Sequence, residues 1–292
     1  MSIVGRTGGS ASFRRNRLML TAVLVVYFAY TFVPLLYLIT GATKTNPDLF
    51  TSFGLWFASD FHLFENLKKL FTNNDGIFRV WLWNSFYYAA ASAIGSAVVA
   101  TLAGYAFAKY DFFGKRLLYA LVLGAVMVPQ TALVIPLFLL LSEVGLLNTP
   151  WAVILPSLVF PIGVFLTRAY IEGGVSNDII DAGRMDGAGE IYIFVFLVFR
   201  LIMPAFTTVL VLAFVASWNN YFLPLVVLNS SEHFPVTVGL AQWFAAATAG
   251  SGGEVLFTVV IAGSLVSIIP VIVAFLLVQR FWQGGLSSGA VK

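Results

Sequence analysis

Six apolar runs, each long enough to cross a membrane, constrain this chain more than any other feature. They extend from Leu18 to Thr40, Leu82 to Ala108, Leu117 to Leu141, Trp151 to Ile171, Ile191 to Leu228 and Leu256 to Val278. A helix crossing about 30 Å of hydrocarbon needs about 20 such residues. Lipid offers the backbone no hydrogen-bond partner, so each run must satisfy its own amides as a helix. The expected fold class is an all-α integral membrane protein with six transmembrane helices, forming a single transmembrane domain over residues 1–292. Composition agrees: 60% of residues are hydrophobic and 10% charged, whereas a soluble domain carries about 25% charged residues. The fifth run is too long for one simple crossing. Its excess should project into water or lie along the interface, with Pro204 and Pro224 offering kinks or ends.

The first run follows Arg14, Arg15 and Arg17, the charge order of a secretory signal, but it far exceeds a signal's apolar core of about 7–15 residues. It is read as an uncleaved first span. Six spans place both termini on one side. Four basic residues, Lys44, Lys68, Lys69 and Arg79, then fall on the far side, and the other twelve of the 16 Lys and Arg fall on the near side. Arg200 counts there only if its helix begins well below the membrane. The positive-inside rule makes the near side cytoplasmic. The expectation is therefore a multi-pass membrane protein with both termini inside. Most of the seven Trp residues lie near span ends, where interfacial anchoring is expected.

The absence of cysteine excludes disulfides, thiolate metal sites and thiol nucleophiles. No Gly-x-x-x-x-Gly-Lys-Ser/Thr motif occurs, so the chain lacks that means of holding ATP. His62 and His233 stand alone in the outer loops and suggest neither a metal site nor a catalytic base. The spans lack the row of ionisable residues that a proton-coupled carrier would carry. The basic residues flank apolar runs and form no cluster of the kind that binds nucleic acid.

The loop from Glu172 to Glu190 differs from the rest, holding five of the 13 acidic residues together with Arg184. Ser176 or Asn177 can cap a helix start, Asp178 suits its first turn, and Gly187 can end it in the left-handed conformation. The pattern predicts a short helix, a glycine turn and then the fifth span. Taken alone, such a loop is a solvated connector.

The run Asp181, Ala182, Gly183, Arg184, Met185, Asp186, Gly187, Ala188, Gly189 and Glu190 resembles the EAA loop of binding-protein-dependent ABC importer permeases. The core of that loop reads Glu-Ala-Ala, two variable residues, then Asp-Gly-Ala. Asp186, Gly187 and Ala188 match directly, while Asp181 replaces the usual Glu and Gly183 the usual Ala. Ser217 to Leu225 resembles a following stretch of the carbohydrate branch. The end of the chain, from Gln279 to Lys292, resembles the tail of the maltose-type subunit.

This resemblance implies a type I importer fold with a cytoplasmic coupling helix, in the cytoplasmic membrane of a prokaryote. Asp181, Ala182, Gly183, Arg184, Asp186, Gly187 and Ala188 would dock on a nucleotide-binding subunit. The tail residues Gln283, Gly284, Gly285, Leu286, Ser287, Gly289 and Lys292 would insert between two such subunits. The implied partners are a second permease subunit, two ATPases and an extracytoplasmic sugar-binding protein. The chain itself would be non-catalytic and hold no cofactor, with ATP and Mg in the partners. From Ala188 to Pro204 the chain is about four residues longer than the family pattern, close to one helical turn of about 6 Å. A longer fifth helix is expected, with a π-bulge or looped-out segment as the competing arrangement.

Polar residues inside the spans are candidates for a sugar path: Asn84 with Ser85 and Tyr87, Gln130, and Trp218 with Asn219, Asn220 and Tyr221. Such residues also glue helices together. Maltose-like or trehalose-like sugars, other oligosaccharides and glycerol 3-phosphate all fit the branch. A stand-alone secondary transporter is the rival class, and a membrane-embedded enzyme a weaker third reading.

Overall fold

The computed structural model describes residues 9–249 and 257–288, and every regular element among them is helical. In chain order the helices are α1 Gly9–Ala42, α2 Asn46–Thr51, α3 Leu63–Thr72, α4 Ile77–Lys109, α5 Lys115–Val126, α6 Val134–Glu143 and α7 Trp151–Ser157. They continue as α8 Pro161–Gly174, α9 Asn177–Met185, α10 Glu190–Tyr192, α11 Phe199–Trp218, α12 Phe222–Val227, α13 Val236–Thr248 and α14 Phe257–Ser288. Five helical stretches are long and apolar enough to cross a membrane, and the bent pair α5–α6 would make a sixth. The described residues divide into two compact units. One comprises residues up to Leu70 together with Ala246–Val266; the other comprises Phe71–Ala245 and the residues from Ser267 onward.

The first unit contains α1, whose residues from Leu18 to Tyr30 are exposed all round, as befits a helix bathed in lipid. Beyond Ala42 the chain stays tied to the helix end. The amide of Asn66 donates to the carbonyls of Ala42 and Lys44 at 2.9 and 2.8 Å, and the N–H of His62 donates to Thr43 O at 2.8 Å.

The second unit is built on α4, α8 and α11, which pack together. The buried face of α4 is a ladder of small residues, Ala89, Ala93, Ala97, Ala100 and Gly104 among them. Without a hydrophobic driving force between helices in lipid, small side chains that admit close backbone approach are what association requires. A Cβ on Gly104 would stand 2.8 Å from Thr167 Cβ and 2.9 Å from Arg168 N, so glycine there sets the α4–α8 distance.

Proline explains two breaks that hydropathy concealed. Val128 and Phe160 precede Pro129 and Pro161, and proline disfavours the α conformation in the residue before it. The expected straight span from Leu117 to Leu141 is therefore two helices bent by 101°. Phe160 adopts φ −125° and ψ 79°, separating α7 from α8 within the fourth run.

The fifth run also departs from expectation. Its helix continues through Pro204, where Thr208 Oγ1 donates to Pro204 O at 2.8 Å, and ends at Trp218. The remainder forms the separate short helix α12. Ile193–Val198 is π-helical within a continuous helical stretch from Glu190 to Trp218, so the long fifth helix contains the π-type irregularity that was the competing arrangement. The segment from Asn229, expected as an outer loop, contains an apolar helix, α13, with Val236, Val238, Leu240 and Trp243 buried.

Candidate functional site: a braced helix outside the membrane and a cavity between helices

Helix α9 forms as its sequence predicts. Ser176 is the N-cap, with the N–H of Asp178 donating to its Oγ at 3.2 Å. At the other end Gly187 takes φ 78°, its N–H donates to Arg184 O, and the N–H of Ala188 donates to Gly183 O, both at 3.0 Å. This pair of bonds is a Schellman closure, which needs the left-handed residue that glycine provides without penalty. The turn therefore depends on the chemistry of position 187.

One face of α9 is sunk into the second unit. Ile180 joins Tyr105, Ile171, Val175, Ile193, Val198 and Ile202 in a single core cluster. A Cβ on Gly183 would lie 3.0 Å from Leu197 and 3.1 Å from Ile193, so glycine lets α9 lie directly on the π-helical segment. The opposite face is open: Asp181, Ala182, Arg184, Met185 and Asp186 are exposed, and Met185 is 86% so.

Polar braces hold the two ends. Lys109 Nζ, at the end of α4, donates to Val175 O at 2.5 Å and to Asn177 Oδ1 at 2.7 Å. Arg184 Nε donates to Glu190 Oε1 at 2.7 Å, and Arg184 Nη1 pairs with Asp181 Oδ1 at 3.2 Å. The Tyr110 hydroxyl donates to Glu190 Oε2 at 2.5 Å. Burial, and then the bond to Glu190, push the Tyr110 hydroxyl above the usual tyrosine range. The bond to Glu190 likewise raises the Arg184 guanidinium. These groups stay protonated and donating at any physiological pH. A helix so packed and braced can transmit a rigid-body displacement that a loose loop would absorb.

The residues expected along a sugar path separate into two groups. Gln130 and Asn220 line a cavity of about 390 Å³ with Thr131, Ser157 and Ser217, among apolar side chains. The Ser217 hydroxyl is buried there without a hydrogen-bond partner. The lining contains no Lys or Arg. Asn84 lies elsewhere, donating to the carbonyls of Glu232 at 2.7 Å and Phe234 at 3.1 Å. Trp218 is buried, with Nε1 donating to Ser267 O at 3.2 Å, and Asn219 caps its own helix through Val215 O at 2.8 Å. Tyr221 is half-exposed and is not among the cavity residues.

Asn84 belongs to a clamp that was not anticipated. Trp81, Asn84, Ser85 and Tyr88 recur at helical spacing on one face of α4. Trp81 Nε1 donates to Ser231 O at 2.8 Å, Tyr88 OH to His233 O at 2.9 Å, and the N–H of Val236 to Ser85 Oγ at 2.7 Å. Polar and aromatic residues at i, i+3, i+4 and i+7 in an apolar run were the available signal. Burial of Trp81, Trp218 and Trp243 also corrects the expectation of interfacial anchoring for those three, while Trp56, Trp83 and Trp151 are exposed. In the tail, the backbone of α14 is helical through Ser288, covering Gln283, Gly284, Gly285, Leu286 and Ser287; Gly289 and Lys292 lie outside the described residues.

Several helices long and apolar enough to cross a membrane, joined to a short, capped polar helix, define a multi-pass membrane protein. Residues 96–283 match the family model described as binding-protein-dependent transport system inner membrane component, and the chain belongs to that family. It is 34% identical over 284 residues to the arabinooligosaccharides transport system permease protein AraQ of Halalkalibacterium halodurans, covering 96% of this chain and 99% of that one. It is 29% identical to the lactose transport system permease protein LacG of Rhizobium radiobacter, covering 87% and 89%. The crystal structure of a bacterial ABC transporter involved in import of the acidic polysaccharide alginate contains a chain that superposes with a TM-score of 0.77. The identity is 23% and the coverage 96% of this chain and 99% of that one, which establishes the shared type I importer permease fold.

Proposed function

We propose that the chain is a non-catalytic permease subunit of an ATP-driven importer for a di- or oligosaccharide. It forms half of the translocation path beside a second permease, receives sugar from an extracytoplasmic binding protein, and is driven by two ATPase subunits. The observation that carries this reading is α9, a capped helix with one face packed on three membrane helices and the other face open. In the proposal the open face docks on an ATPase, and closure of the ATPase pair moves α9, α4 and the π-helical start of the fifth span as one body. Helix α9 and both termini are cytoplasmic, and the tail from Gln283 docks between the ATPases.

Membership of the family supports the partners, and the names of the relatives support sugar as the cargo. The cavity favours a polyhydroxyl substrate over glycerol 3-phosphate, because amide and hydroxyl groups suit neutral hydroxyls and the lining supplies no cation for a phosphate. Gln130, Ser217 and Asn220 are its proposed polar contacts.

The test is uptake of radiolabelled arabino-oligosaccharide, lactose, maltose and glycerol 3-phosphate into proteoliposomes, with and without ATP and the partner subunits. ATP-dependent sugar uptake only in the full assembly is expected. Uptake by this chain alone would instead make it a secondary transporter.

A further inference from the structure

The segment after α1 carries a run of aromatic residues that the transport reading does not use. Phe50, Phe53, Trp56, Phe57, Phe61 and Phe64 fall within 15 residues, and their exposures range from 43% to 77%. Four of the rings are contiguous: Trp56 meets Phe57 at 5.9 Å between centroids, Phe57 meets Phe61 at 6.4 Å, and Phe61 meets Phe64 at 6.4 Å. Single exposed apolar residues are ordinary, but a contiguous exposed patch marks a contact surface.

The backbone fixes where this patch lies. Thr40 Oγ1 donates to Gly54 O at 3.0 Å, and Lys44 Nζ, itself buried, donates to Phe53 O at 2.7 Å. A Cβ added to Gly54 would stand 3.3 Å from the Tyr37 ring, so the segment folds back onto α1 up to Tyr37. Tyr37 and Thr40 form the last turns of the α1 span, and Tyr37 is itself exposed. Phe53 and Trp56, both exposed, are thereby held beside the last turns of the α1 span. Aromatic side chains are favoured at this level, where ring faces meet acyl chains and the Trp N–H meets headgroups.

We propose that residues 50–64 form an aromatic collar inserted at the boundary between headgroups and acyl chains, with lipid as its occupant. The collar fixes the vertical position of α1 in the bilayer, and it does so whether or not the transported solute is a sugar. A chain segment anchored by its own backbone carbonyls to a membrane helix presents its side chains to whatever surrounds that helix. At this depth the surroundings are lipid.

The natural absence of cysteine allows one nitroxide label per molecule. Phe53→Cys and Trp56→Cys leave the bonds to the Phe53 and Gly54 carbonyls in place, because those use backbone atoms. Each labelled full-length chain is placed in vesicles of phosphatidylethanolamine and phosphatidylglycerol, alone and in the complete complex with its binding protein. Collisions with oxygen, which partitions into lipid, are compared with collisions with a water-soluble nickel chelate. Labels at Val25→Cys and at the fully exposed Asp111→Cys, between α4 and α5, give the lipid and water references. The expected oxygen-to-nickel ratio at both collar positions is severalfold above the Asp111 reference, approaches the Val25 reference, and is unchanged by assembly. A ratio equal to the water reference would overturn the proposal. So would shielding from both reagents that arises only on assembly, since it would make the patch a protein docking surface.

Discussion

The hydroxyl of Tyr110 and the carboxylate of Glu190 meet at 2.5 Å, joining the residue that caps α4 to the first residue of α10, eighty positions along the chain. The same carboxylate receives Arg184 from α9, so three elements converge on one side chain. Removal of the Tyr110 hydroxyl should loosen the brace without unfolding the protein, since Arg184 still holds Glu190. Tyr110→Phe is expected to lower sugar imported per ATP hydrolysed severalfold while leaving the amount of assembled complex unchanged. Parallel uptake and ATPase assays on one preparation of proteoliposomes check this.

Gly104 sets the separation of α4 and α8, because a Cβ there would meet Thr167 Cβ at 2.8 Å. Overpacking a close contact costs about 1–3 kcal/mol. Gly104→Val should lower the Tm of the detergent-purified protein by several degrees, whereas Gly173→Val, which meets nothing within 4 Å, should be tolerated far better. Differential scanning fluorimetry separates the two.

The clamp on α4 predicts a stability effect where a sugar contact would predict a specificity effect. Ser85→Ala leaves the N–H of Val236 without its acceptor in a buried setting. An orphaned buried donor costs about 1–3 kcal/mol. Hydrogen exchange at residues 231–236 should speed up, while the order of preference among transported sugars stays unchanged.

The orientation can be read chemically, since any introduced cysteine is the sole thiol. In intact cells, Asp178→Cys and Ser288→Cys should resist an impermeant maleimide, and Asp75→Cys, at an exposed position between Lys69 and Arg79, should react. Labelling of Asp178→Cys from outside would invert the topology.

Which parts of the molecule were legible in the sequence follows from where the controlling interactions lie. Helix α9 was readable end to end because its signals are local: Ser176 bonds two residues onward and Gly187 closes on Arg184. The lipid-crossing runs were readable because length and apolarity suffice. Their breaks were less so, since hydropathy passes over Pro129 and Pro161 while the backbone of Val128 and Phe160 does not. The π-helical turn at Ile193–Val198 was visible only as surplus length, because nothing in its composition distinguishes π from α. The division of the polar residues needed the tertiary structure: Asn84 bonds residues about 150 positions away, whereas Gln130 and Asn220, ninety positions apart, line one cavity.

The central claim is that α9 couples ATP hydrolysis to transport through the turn at Gly187. Proline there removes the N–H that closes on Arg184 and cannot adopt φ 78°, yet the position lies outside every span. The decisive measurement is the ratio of sugar imported to ATP hydrolysed by purified complexes in proteoliposomes, wild type against Gly187→Pro. The account predicts that the variant inserts in the membrane and retains the ATPase subunits' basal hydrolysis, but imports little or no sugar. Uptake at the wild-type ratio would contradict it.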